Sequence, residues 1–227
     1  MSRNRLIAAC AALVACVPMT ASATPLTPLS YDMRNGDGAA SGGSLNYWDL
    51  KYDGLGATTT DAAPLSGGKG DLTDGAAAAD IWFPVENLAG TGPYVGWFIR
   101  KGADPVVTFS FAGNPTVETL RVHLDNTGIG GVAAPTDIRV NGSSVPFVAP
   151  AFGTAGWVEI NGLSAVGGLL SLQFIHDRLF GWVFVSEVEF DGRNGGGAVP
   201  EPAALTLLLT GLGWLTIAAR ARGRSRR

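Results

Sequence analysis

Between Tyr31 and Arg193 no stretch repeats its apolar residues at helical spacing. Short alternating or continuous apolar runs are instead separated by clusters of Gly, Pro, Asn and Asp. In "VVTFSF" Val107, Phe109 and Phe111 share one parity, in "TLRVHLD" Leu120, Val122 and Leu124 do, and in "LLSLQF" Leu170, Leu172 and Phe174 do. Turn signals "AGNP", "DNTGIGG" and "VNGSS" fall near or between them. One-sided strands must bury their apolar parity against a second sheet, so the pattern predicts an all-β, two-sheet sandwich. "GWVFVSEVEF", apolar on both parities at its start, predicts a central strand packed on both faces, with Glu187 and Glu189 opposite in parity to Val188 and Phe190.

The chain ends have a different composition. "MSRNR" followed by "LIAACAALVA" has the charge and length of a secretory leader, and "ASA" at 21–23 offers small residues for signal peptidase, predicting cleavage after Ala23. The competing reading makes "LVAC" a lipobox with Cys16 as a lipidated N-terminus. Cys10 also lies in the leader, so a chain starting at Thr24 has no cysteine for disulfides, thiolate chemistry or metal binding. Leader and tail together hold seven of the sixteen basic residues. Nine then face eighteen acidic residues between Thr24 and Val199, a formal net charge of about −9. Such a segment repels polyanions, which argues against nucleic acid and leaves divalent cations as candidate partners.

The Gly-rich spacer 194–199 leads to seventeen uncharged residues, Ala203 to Ala219. As a helix these span ~26 Å, the short end of what a bilayer core needs. Pro202 suits the first turn of such a helix, and the arginines of 220–227 would stay cytoplasmic, with the preceding domain outside. Val199, Pro200, Glu201 and Pro202, then the apolar run, then the arginine cluster resemble the PEP-CTERM sorting signal of Gram-negative bacteria. The resemblance implies processing of 200–227 by an exosortase and passage from the inner membrane to the cell surface or exopolysaccharide matrix; a plain membrane anchor is the alternative.

The delivered segment, 24–193, resembles the galactose-binding-domain-like jelly roll of discoidin and many carbohydrate-binding modules. The resemblance rests on "YWDLKYDG", on "LSGGKGDLTDG" followed by "DIWF", and on the closing "WVFVSEVEF". It implies an Asp-Gly loop at Asp74 and Gly75, a strand Trp at Trp82 and an inward-reaching Glu187. It also implies a structural Ca²⁺ held by Asp74 and Glu187, with Asp80 and Asp71 as further ligands. The other reading of "GDLTDG" is a plain turn bent by its aspartates.

Little in the sequence points to catalysis. His123 is expected on the solvent face of its strand and His176 in a local hydrogen bond with Asp177, and no phosphate loop, dinucleotide fingerprint or zinc spacing is present. The expectation is a protein that is not an enzyme. Tyr47, Trp48, Tyr52, Tyr94 and Trp97 stand in or beside Gly-rich segments. They serve either as core or, for Trp48, Tyr52, Tyr94 and Trp97, as platforms for sugar rings. Two function classes follow: a calcium-supported, carbohydrate-binding surface module, or a structural biofilm-matrix or envelope protein.

In a host that carries an exosortase, a tag inside the ectodomain is expected to part from a tag at the C-terminus. Both tags remaining on one mature chain would overturn the sorting assignment.

Overall fold

The computed structural model describes residues 23–38 and 45–195. The leader, the sorting motif Val199–Pro202 and the apolar run 203–219 lie outside the described residues. Among those described, no helix is long and apolar enough to cross a membrane.

The chain forms an antiparallel two-sheet sandwich. Its strands are β1 (Thr24–Pro25), β2 (Ser30–Arg34), β3 (Pro64–Gly68), β4 (Val95–Phe98), β5 (Val106–Ser110), β6 (Thr116–Asn126), β7 (Asp137–Val140), β8 (Ser143–Val145), β9 (Thr154–Val166), β10 (Leu169–Ile175) and β11 (Trp182–Arg193). The first sheet runs β1-β11-β6-β9, with β4 also paired to β11; the second runs β3-β2-β5-β10-β7-β8. The three quoted apolar runs fall in β5, β6 and β10, and their apolar parities are buried as expected. "VNGSS" is the β7–β8 hairpin. Asn141 and Gly142 both take positive φ there, as an Asn-Gly hairpin turn requires.

The main core lies between the sheets. Leu120, Val122, Leu124, Val158, Ile160, Val188 and Phe190 face Tyr31, Val107, Phe109, Leu172 and Phe174. Each large side chain removed from water there stabilises the fold by about 1.5–3 kcal/mol before chain entropy is charged.

A second cluster covers the other face of the first sheet at one end. Tyr47, Trp82, Tyr94, Val132, Trp182 and Phe184 form it, with Tyr47, Trp182 and Phe184 in mutual ring contact. The start of β11 therefore is packed on both faces: Val183 and Val185 enter the main core, Trp182 and Phe184 the second.

Two expectations change here. Trp82 sits on a one-turn helix, α1 (Trp82–Val85), and not on a strand; the Asp125 carboxylate accepts its N–H at 2.6 Å and anchors the turn. His123 does point away from the main core, but the second cluster roofs that face, leaving it 6% exposed.

Gly96 on β4 marks how closely the second cluster is packed. A Cβ built there lies 2.3 Å from the Phe184 ring. Gly96→Ala is expected to cost about 1–3 kcal/mol by overpacking, read as a lower urea midpoint with an unchanged m-value. An unchanged midpoint would show that this cluster yields easily.

Candidate functional site

The outer face of the first sheet owes its character to one irregularity. Between Val185 and Glu187 the β11–β6 register slips: Val185 opposes Leu124, and Glu187 opposes the next residue, His123. Ser186 is the extra residue of a β-bulge. Before the bulge the outward side chains are Trp182 and Phe184; beyond it they are Glu187, Glu189 and Asp191, while Val188 and Phe190 stay in the core. Ser186 is fully buried, and its Oγ accepts the Ala78 N–H and lies 2.8 Å from His123 Nδ1. Burial holds the His123 pKa below its usual value, favouring the neutral ring.

On this face β9 contributes Trp157 opposite His123 and Glu159 opposite Arg121. The Arg121 guanidinium pairs with Glu189 and stands over the Trp157 ring, 5.2 Å from its centroid. His123 meets the same ring edge-on. The indole is thus fixed by two neighbours and still 39% exposed on an edge strand. Two hollows flank the face. One of about 240 Å³ is lined by Arg121, Glu187, Glu189 and the 25–28 segment, and one of about 290 Å³ by Asp80, His123 and Thr154.

The residues carried over for calcium come only partly together. Glu187 Oε2 accepts the Gly75 and Ala76 N–H groups at 3.0 and 3.1 Å, so the Asp-Gly loop does meet the last strand. Asp74 accepts the Ala76 N–H through Oδ1 and binds Lys51 Nζ through Oδ2 at 2.7 Å. Lys51 also lies 2.9 Å from Asp71 Oδ1. Asp71 is buried and donates its N–H to Asp49, whose other carboxylate oxygen takes the Tyr31 hydroxyl. Asp80 is exposed and accepts the N–H of Ile81.

Ca²⁺ requires six to eight converging oxygens, whereas this loop offers amide N–H groups and an ammonium to its carboxylates. Among the described residues no three His, Cys, Asp or Glu side chains group to hold a metal. The donor set as arranged does not fit calcium.

Three of the four proposed sugar platforms are core residues. Tyr94 is fully buried and donates to the Asp80 carbonyl, Tyr52 bonds the Tyr31 carbonyl, and Trp97 donates to the Arg34 carbonyl and stacks on Phe174. Each ring sits against the cores, so its faces are taken. Trp48 keeps partial exposure, with its indole N–H on Asp61. His176 pairs with Asp104, not with Asp177; the Asp177 carboxylate accepts the Leu179 N–H. Trp157, which reading of the loops missed, announced itself through parity: in "WVEIN" it shares the polar side with Glu159 and Asn161, opposite Val158 and Ile160.

No protein-family model matches the sequence, and no curated protein does. Among solved structures the chain is similar to the Streptococcus pneumoniae beta-galactosidase BgaA, at 11% identity over 44% of this chain and 75% of that one, TM-score 0.35. It is also similar to a fucolectin from striped bass (Morone saxatilis) serum, at 12% identity over 73% and 72%, TM-score 0.32. The fold described above rests on its own strand pairings and not on either likeness.

Burial, and secondarily the charge of Asp74, push the Glu187 carboxyl up to about 8, against the pull of the two amides. The unfolded chain releases this proton near pH 4.5, so this group's stabilisation is complete below that pH and declines as pH rises to about 8. Glu86, also pushed up to about 8, and Asp49, raised by its burial, act in the same direction. Between pH 5 and pH 8 the urea midpoint is expected to fall, and Glu187→Gln, which cannot ionise, to flatten that fall. Parallel pH profiles for the two proteins would contradict this.

Proposed function

We propose that this is an exported surface protein whose sandwich binds polysaccharide, without catalysis, on the outer face of the first sheet. The observation that carries the reading is Trp157: a half-exposed indole, braced by Arg121 and His123, among carboxylates that can accept hydroxyl hydrogen bonds. The C–H groups on the apolar side of a sugar ring suit the indole face that Arg121 leaves uncovered, and flanking polar groups orient the hydroxyls. A ring already fixed loses little freedom on binding. Calcium has no part in this reading.

Signal peptidase and an exosortase are the processing partners, acting at Ala23 and through Val199–Pro202. The chain is held in the inner membrane by 203–219 until processed, and exopolysaccharide at the cell surface is the natural ligand. A structural matrix role draws on a different observation: Ile129, Phe152 and Leu179 are exposed on neighbouring loops, where they could contact other proteins.

The test is a glycan array probed with residues 24–195, which contain every strand of both sheets, in calcium and in EDTA, alongside Trp157→Ala. Binding insensitive to EDTA and at least about tenfold weaker in the variant is expected, equivalent to ~1.4 kcal/mol, with little change in unfolding midpoint. Absence of binding by the folded domain would favour the structural role, and full binding by the variant would overturn the assignment to the Trp157 face.

A further inference from the structure

Away from the Trp157 face, a hollow of about 200 Å³ opens where the end of β2 meets the end of β4 and the segment leading into β5; Arg34, Asp37, Trp97, Phe98, Lys101 and Asp104 are among its walls. Two of its polar groups are unmatched. Asp37 is 3% exposed; its Oδ2 accepts the Phe98 N–H at 2.7 Å, but its buried Oδ1 has no hydrogen-bond partner. A buried carboxylate oxygen left this way costs about 1–3 kcal/mol or more. The exposed Arg34 guanidinium makes no ion pair among the described residues, although its backbone carbonyl is tied to Trp97.

The other charged groups around the hollow are already matched. Lys101 binds Asp61 and the Gly38 carbonyl, and Asp104 binds His176, whose second ring nitrogen faces the Trp97 carbonyl. With Lys101 and Asp104 engaged elsewhere, Arg34 and Asp37 are the charged groups left for a ligand. An anion suits the exposed Arg34, and an O–H or N–H donor suits Asp37. Its volume is below the ~300–1,000 Å³ of drug-sized pockets and accommodates one sugar ring. Ala62, on the wall, holds a positive φ of 51°, a conformation that costs a non-glycine residue energy.

We infer that this hollow is a second binding site, separate from the Trp157 face, for a single hydroxylated carboxylate, namely a uronate residue at a glycan end. The carboxylate pairs with Arg34, which can grip it through two parallel N–H bonds. A ring hydroxyl donates to the Asp37 carboxylate on the wall of the hollow.

The test uses the full chain in detergent, titrated with sodium galacturonate and glucuronate and, as controls, galactose and glucose. The backbone amide of Phe98 and the indole N–H of Trp97 are followed by NMR. Both signals are expected to shift with the uronates and not with the neutral sugars. Arg34→Gln, an exposed substitution that leaves the core intact, is expected to weaken uronate binding at least tenfold. Asp37→Asn, which keeps an oxygen for the Phe98 N–H, serves as the second variant and is expected to weaken it as well. Trp157→Ala is expected to leave it unchanged, which separates failure of this site from failure of the Trp157 face. Equal shifts with neutral sugars, no shift at millimolar uronate, or binding indifferent to Arg34→Gln would each overturn the inference.

Discussion

The pairing of β11 with β6, and the one-residue slip within it, is the constraint on which the rest of the first sheet depends. A regular strand would have kept one parity facing the main core along its whole length. The bulge at Ser186 lets one strand serve two apolar clusters at its start and present a row of carboxylates beyond. The extra residue is itself held: its hydroxyl links the Ala78 backbone to His123, joining the roof of the second cluster to the sheet beneath. The two hydrogen bonds from the Gly75 and Ala76 amides to Glu187 lie directly beside it.

Much of the fold was legible in the sequence because period-two alternation in β5, β6 and β10 is a local signal, and the Asn141-Gly142 turn is stereochemically specific. The doubled hydrophobicity of "WVFV" likewise pointed to a strand buried on both faces. Local patterns could not show what lay over the second face. His123 has the parity of a solvent residue and would be one if the chain from Ala78 to Tyr94 did not fold across it. The resemblance puts Trp82 on a strand, yet a contact 43 positions away, with Asp125, holds it in a helical turn.

The candidate sites were less visible, for a related reason. Aromatic residues beside glycines look exposed because glycine marks loops, but Gly92 and Gly96 are places where backbone approaches other groups too closely for a side chain, so Tyr94 and Trp97 are enclosed. Trp157 carries the opposite signal, a large apolar ring on a polar parity. The resemblance set the Asp-Gly loop beside Glu187, and the loop does meet that strand through the Gly75 and Ala76 N–H groups, while Asp74 turns to Lys51, a partner distant in sequence. The pairing of Asp104 with His176 spans 72 positions and left no trace in local pattern.

The pairing of β1 with the far end of β11, Thr24 beside Gly192 and Pro25 beside Asp191, has a mechanical meaning. The described chain enters and leaves the sandwich at the same pole, while Trp182 and its partner Phe98 lie about 36 Å away along the strand, at ~3.3 Å per residue. Tension directed along β11 from its Arg193 end is carried by that strand. There it is shared by the hydrogen bonds to β6 on one side and to β1 and β4 on the other, all loaded together in shear, whereas a pull across the strand would break them one at a time. Any load passed to the sandwich along its last strand is therefore resisted in shear.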